Sequence, residues 1–228
     1  TRARMLMLLG GFLVNAKLYE ESEVVYTKLA QEQDSPIILN NLAYVIGVYR
    51  DRPEEGLEIA KRAASKAPRV PQIIDTVAKL HERSGNPQKA AETLEFLLQV
   101  SPADASAMSK LALLYADTLN QPQRGVVFAE RARSQNPRSP EVLDALGWSY
   151  YQTGKLAKGE EFLQKSLKRG ETEIAYIHMA QLVMEQGDFD EALGYLRLAE
   201  EFSQDPYSLN RIKALQDDIR NKQAAIGR

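Results

Sequence analysis

The chain has 228 residues, 44% hydrophobic and 26% charged, which is ordinary for a folded soluble protein. Its 29 basic and 31 acidic residues leave a net charge of −2, so no clustered basic excess points to nucleic acid as a partner. With no cysteine, disulfides and thiolate metal sites are excluded.

The chain opens on Thr1 rather than Met, as a processed or partial chain would. Arg2 and Arg4 precede an apolar run over residues 5–14, with Ala16 after it, an order that imitates a signal peptide. The run of ten residues is too short to span a bilayer as a helix, so no direct membrane insertion is expected. The same residues also carry a repeat register, with Leu6, Leu9, Gly10 and Leu13, followed by Tyr19-Glu20-Glu21-Ser22 opening a second helix. That register explains side chains on two helices where targeting explains one run, and it is preferred.

The register recurs. An aliphatic residue is followed by a small one at Leu9-Gly10, Leu42-Ala43, Val77-Ala78, Leu111-Ala112, Leu146-Gly147 and Met179-Ala180, in steps of 33, 35, 34, 35 and 33 residues. A period of this length marks a stacked helical repeat. The second unit has Leu39, Leu42, Ala43 and Ile46, then Gly56, Ala60 and Ala63, with one residue inserted around 50–53 and Pro68 closing it. In the third, Ile74, Val77, Ala78 and His81 share one helical face. Gly85-Asn86 stops that helix, and Ala90, Leu94 and Leu97 line the next, closed by Pro102. The fourth repeats this with Met108, Leu111, Ala112 and Tyr115, then Gly125, Ala129 and Ala132, and carries an extra residue near 119–122. The fifth has Leu143, Leu146, Gly147, Tyr150 and Gly154, then Gly159, Leu163 and Ser166. The sixth has Tyr176, Met179, Ala180, Val183 and Gly187, then Ala192, Leu196 and Ala199. Glycine supplies the left-handed backbone of the intervening turn. The small residues sit where the two helices of a hairpin approach, so a bulky replacement there overpacks the seam.

The expected organisation is all-α and a single solenoid over 1–228, with units of approximately 3–36, 37–69, 70–103, 104–138, 139–172 and 173–206. Residues 207–225 read as a terminal capping helix, with Leu209, Ile212, Leu215, Gln216 and Ile219 on one face and Lys213, Asp217, Asp218 and Arg220 on the other.

These residues resemble the tetratricopeptide repeat family across essentially the whole chain. The fifth unit carries the likeness with Leu143, Leu146-Gly147, Tyr150, Gly154 and Leu163, and the sixth with Tyr176, Gly187-Asp188-Phe189-Asp190-Glu191-Ala192 and Pro206. Two departures stand: the fifth unit has Arg169-Gly170 in place of a closing proline, and the first ends late, at Pro36. The resemblance implies a right-handed α-α superhelix of about six helical hairpins. It also implies a concave surface lined by the first helix of each hairpin, and protein or peptide binding as the usual activity.

By register, the first-helix residues left for that surface are Met7, Leu8, Gly11 and Val14, then Asn40, Asn41, Tyr44 and Val48, then Asp75, Thr76, Lys79, Glu82 and Arg83. They continue as Ser109, Lys110, Leu113 and Asp117, then Asp144, Ala145, Trp148, Tyr151 and Gln152, then Ile177, His178, Gln181, Met184 and Glu185. The chosen binding candidates are Asn41, Tyr44, Lys79, Lys110, Trp148, Tyr151, Ile177, His178, Gln181 and Met184. Trp148 and Tyr151 suit an apolar hot spot; burial against the neighbouring hairpin is the alternative, and the pattern leaves both open. Asn41 is placed to bond an extended ligand's backbone. A carboxylate clamp for a chaperone tail is disfavoured, because the corresponding places hold Met7, Gly11, Asn41, Gln72 and Thr76, of which Asn41 alone matches. Met7, Leu8 and Val14 belong to an apolar face larger than one packing stripe requires, expected to meet an upstream repeat, a second copy of the chain or a partner.

No catalytic, metal or cofactor site emerges. His81 lies on a packing face, His178 has no second ligand at metal spacing, and there is no phosphate loop. Acidic pairs such as Glu54-Glu55 open second helices, where the positive dipole end favours them. The expected function is a non-catalytic scaffold that holds a protein or peptide partner. The alternatives are a self-associating assembly module, or the regulatory arm of a larger multidomain protein. Compartment is not readable.

Overall fold

The computed structural model describes residues 2–226, with side chains to residue 225. Every regular element among them is helical. Six hairpins follow in order: α1 (Arg2–Asn15) with α2 (Tyr19–Glu32), α3 (Pro36–Tyr44) with α4 (Pro53–Lys66), α5 (Pro71–Arg83) with α6 (Pro87–Val100), α7 (Ala105–Leu113) with α8 (Pro122–Gln135), α9 (Pro140–Gln152) with α10 (Leu156–Arg169), and α11 (Glu173–Glu185) with α12 (Phe189–Phe202). One long helix, α13 (Pro206–Ile226), ends the described chain. The all-α repeat architecture read from the period is therefore the one found.

Two of the first helices do not end as regular α-helix. α3 and α7 run on into π-helical turns at Val45–Tyr49 and Leu114–Thr118, with Arg50 N–H donating to the Val45 carbonyl at 3.0 Å and Leu119 N–H to the Leu114 carbonyl at 2.9 Å. These are the two units that carry an extra residue. The insertion expected in the loop is instead absorbed within the helix, where widening one turn to i→i+5 preserves the backbone hydrogen bonds. Pro68 and Pro102 lie two residues beyond the last residues of α4 and α6, as expected of closing prolines. Pro36, Pro53, Pro71, Pro87, Pro122, Pro140 and Pro206 each stand at the first turn of a helix. There the missing N–H costs nothing and the fixed φ is already helical.

Each hairpin turns on a left-handed residue. Gly85, Gly154 and Gly187 take that role as the pattern implies, but Lys17, Asp51 and Asn120 occupy the equivalent places, with φ of 60°, 53° and 50°. A Cβ carries a steric penalty in this region that glycine avoids, least so for Asn and Asp. Lys17→Gly is accordingly expected to stabilise the protein by about 1 kcal/mol, and Asn120→Gly by clearly less. Thermal melts of the two variants should rank in that order.

The molecule comprises two compact units, one formed by the chain up to Pro102 with Gln204–Tyr207, the other by Ala103–Ser203 with the chain from Ser208. In the first, Tyr26, Leu29, Ile38, Leu42, Val45 and Ile46 form one buried cluster, and Ala43, Val48, Leu57, Ala60, Val77 and Leu80 another. α3 lies beside α5. In the second, α7 lies beside α9 and α9 beside α11, so that successive first helices line one side. Burying such aliphatic faces at about 25 cal/mol per Å² of apolar surface is the main favourable term, since no hairpin can cover its own stripe alone.

Candidate functional site: the first-helix faces

In the first unit α1, α3 and α5 border an open cleft of about 720 Å³. Met7, Leu8, Gly11, Phe12 and Val14 come from α1, Asn40, Asn41 and Tyr44 from α3, and Gln72, Asp75 and Thr76 from α5. Met7, Leu8, Val14, Asn41 and Tyr44, chosen from the register, thus share one cavity wall, whereas Lys79 sits beside it. The Lys79 ammonium donates to the Tyr44 hydroxyl at 3.1 Å and stands 5.3 Å from the centre of its ring. That contact joins a cation–π attraction to a hydrogen bond. Tyr44 meets Tyr49 edge-on at 5.4 Å, and Tyr49 stacks on Tyr19 at 4.6 Å, so the cleft has a rigid aromatic end. Burial pushes the Tyr49 phenol up to about 12, with neighbouring tyrosines adding to it, so this phenol stays uncharged across the physiological range.

Polar groups in the cleft are partly engaged. Tyr26 donates to the Met7 carbonyl at 3.4 Å, and Asn41 hydrogen-bonds the Tyr26 phenol. The Asn40 side-chain oxygen is buried with no partner among the described residues. At the α1 border the surface is apolar and open: Leu8 is 69% and Phe12 66% exposed. Phe12 was not singled out from the sequence, although its position one residue after Gly11 in an over-apolar helix carried the signal.

The corresponding face of the second unit is different. Lys110 is exposed on α7, and Gln181 and Met184 are half-buried on α11. Trp148 is 2% exposed, and Tyr151, Ile177 and His178 are buried as well. The choice of these four as exposed binding candidates is corrected, and for Trp148 and Tyr151 the burial left open as the alternative is what is found: Trp148, Tyr151 and Ile177 share the interior of the second unit with Ile212 and Ile219 of α13. The Trp148 ring lies parallel to the His178 imidazole at 4.2 Å and to Tyr151 at 5.4 Å. His178 Nδ1 is 2.9 and 3.1 Å from the two oxygens of Asp144, which is fully buried. A carboxylate can only accept, so Nδ1 carries the hydrogen. Tyr151 donates to Glu185, and burial together with that bond raises its phenol.

Asp144 escaped selection because its partner is far away in sequence. The contacts nevertheless follow a rule. Asp144 to His178 and Tyr151 to Glu185 are separated by 34 residues, and Tyr44 to Lys79 and the Val48 carbonyl to Arg83 by 35. Each is one repeat period, because successive first helices lie side by side. Complementary residues one period apart are the signal that would have found them.

Away from these faces, a cleft of about 960 Å³ in the second unit is rimmed by Arg133, Lys165, Lys168 and Arg169 around Leu143 and Phe162, with Glu130 as its carboxylate. Among the described residues no group of three or more His, Cys, Asp or Glu side chains is placed to hold a metal, and no helix is long and apolar enough to cross a membrane.

Comparison with known proteins gives a consistent picture. A family model described as tetratricopeptide repeat matches residues 78–124 and 145–207. A TPR repeat-containing protein of Pseudomonas aeruginosa is 26% identical over 119 residues, which is 52% of this chain and 20% of that protein. The match thus spans about a fifth of that curated relative's length. Among solved structures, a thermophilic TPR protein of Thermus thermophilus superposes with a TM-score of 0.64 at 21% identity, covering 79% of this chain and 96% of that one. PilF of Pseudomonas aeruginosa gives a TM-score of 0.67 at 15% identity, covering 93% and 96%. At such identities these structures speak to the fold alone.

Proposed function

Since this chain belongs to the tetratricopeptide repeat family, whose fold generally mediates protein–protein interaction, we propose that it is a non-catalytic scaffold whose first unit holds a partner segment in the α1–α3–α5 cleft. The observation that carries this reading is the combination of an open cleft of about 720 Å³ with Leu8 and Phe12 exposed at its rim. Large exposed apolar side chains beside fixed aromatics provide the anchor pocket that an apolar residue of a partner fills.

The reading is tested by selecting a random displayed peptide library on the wild-type protein and measuring each recovered peptide against Leu8→Asp/Phe12→Asp. Both side chains are exposed, so stability should change by no more than about 0.5 kcal/mol per site. Recovered peptides are expected to carry an apolar anchor and to bind the variant at least ~10-fold more weakly, a loss of about 1.4 kcal/mol or more. Peptides that bind both proteins equally would remove the cleft from consideration. A second reading is self-association through α1, favoured by the exposure of Met5, Leu8, Leu9 and Phe12 along one short helix. Sedimentation velocity on the same two proteins separates them: a wild-type dimer that the variant dissociates supports self-association, and a monomer in both supports the cleft alone.

A further inference from the structure

The position of α13 in the second unit is not that of an end cap stacked on the last hairpin alone. Near its start, Arg211 Nη2 lies 3.5 Å from Asp117 Oδ2, at the end of the fourth hairpin's first helix. Near its end, Lys222 Nζ lies 3.8 Å from Met184 Sδ on the sixth hairpin's first helix, and Gln223 donates to Asp190 at 3.1 Å. Residues 211–222 of a helix reach about 16 Å, enough to pass the hairpin between. Ile212 and Ile219 are buried in one cluster with Ala116, Trp148, Tyr151 and Ile177. α13 therefore lies across α7, α9 and α11, on the side from which a ligand was expected.

We propose that α13 is an internal ligand: the first-helix face of the second unit is a docking surface for an amphipathic helix, and α13 is the copy of that helix which the chain itself supplies. The occupant's chemistry is read from the seat. It presents aliphatic side chains seven residues apart, as at Ile212 and Ile219, and a cation one residue before the first of them to face Asp117. In that seat α13 has Ile212 and Ile219, 0% and 1% exposed, as its apolar anchors. Its outer face is polar, with Lys213, Asp217, Asp218 and Arg220 exposed, and the Arg211–Asp117 pair is more than a third exposed at both ends. The receiving helices keep a buried Trp148 Nε1 donor and a buried Gln181 Oε1 acceptor that meet no partner among the described residues. An external helix that added partners for these groups would displace α13. This proposal is independent of the first unit's cleft.

The test uses the full chain with Ile212→Asp/Ile219→Asp, which weakens the internal helix, and a fluorescent synthetic peptide of residues 206–226. In anisotropy titrations the peptide is expected to bind the variant at least 10-fold more tightly than the wild type, and adding Asp117→Lys to the variant is expected to reverse most of that gain. Equal binding to both proteins, or binding to neither by a variant that keeps its helical circular dichroism, overturns the proposal. Should the variant lose its fold, hydrogen exchange of the wild type decides. Amides of α13 exchanging at least 10-fold faster than those of α9 and α11 support a displaceable helix; equal protection makes α13 an integral part of the core and overturns it.

Discussion

Asp144→Ala is expected to destabilise the second unit by about 2–3 kcal/mol, the upper part of the range for leaving a buried hydrogen-bond donor without its acceptor. Asp144 and His178 have side-chain exposures of 0% and 1%, so water cannot replace the lost carboxylate. The imidazole Nδ1–H would be left without an acceptor beneath the stacked Trp148 ring. Asp144→Asn keeps an acceptor of the same shape and should cost about 1–2 kcal/mol. Replacing both members by apolar residues, as in Asp144→Leu/His178→Phe, should cost less than Asp144→Ala alone, since the penalty lies in the orphaned group rather than in the absence of the pair. The protein's sole tryptophan, Trp148, reports the outcome directly. Its emission should move to longer wavelength at a lower urea concentration in Asp144→Ala. A loss below about 1 kcal/mol would mean that the site relaxes or admits water, contrary to the close packing around it.

How much of this was legible in the chain depends on whether the determining contact is local. The seams were. Ala43, Ala78, Ala112, Gly147 and Ala180 on the first helices are all buried, as are Gly56, Ala90, Gly125, Gly159 and Ala192 on the second. A hairpin seam joins neighbours in sequence and repeats six times, so its pattern accumulates. The π-helical turns were half legible: the extra residue was visible, but whether a loop or a helix absorbs it depends on which option keeps the backbone bonded. The second unit's face was misread for a reason of another kind. An amphipathic stripe on α13 says that one side of the helix is covered, and says nothing about which surface covers it. Ile212 and Ile219 reach past the last hairpin to bury Trp148 and Tyr151, and no local periodicity encodes that. In the first unit, where none of the described helices fills the α1–α3–α5 cleft, Met7, Leu8, Val14, Asn41 and Tyr44 fall together as the register implies.

Gly159→Ala and Gly194→Ala should have opposite signs, and the contrast isolates what the seams contribute. Both glycines lie inside helices, so alanine gains intrinsic helix propensity of about 1 kcal/mol at either site. At Gly194 the nearest atom to an added Cβ is the far end of the Arg197 side chain at 3.9 Å, so the gain is kept and the protein is stabilised. At Gly159 the added Cβ would stand 2.8 Å from Tyr151 N, 2.8 Å from Tyr151 Cβ and 2.9 Å from the Gly147 carbonyl oxygen. Those atoms belong to the facing helix α9 and its side-chain roots, not to a flexible tip, so relief requires α9 and α10 to separate. Reciprocally, a Cβ at Gly147 would meet Leu163 N at 2.8 Å, so neither helix can yield toward the other. Overpacking of this kind costs about 1–3 kcal/mol or more, which exceeds the propensity gain. Gly159→Ala is therefore expected to lose about 1 kcal/mol net, and Gly159→Val more, because a β-branched side chain adds bulk to the same contact. Urea unfolding followed by far-UV circular dichroism measures both variants. If Gly159→Ala proved as stable as Gly194→Ala, the helices would be free to slide at this seam. The small residue at each repeat would then reflect helix composition rather than the close approach that sets the hairpin spacing.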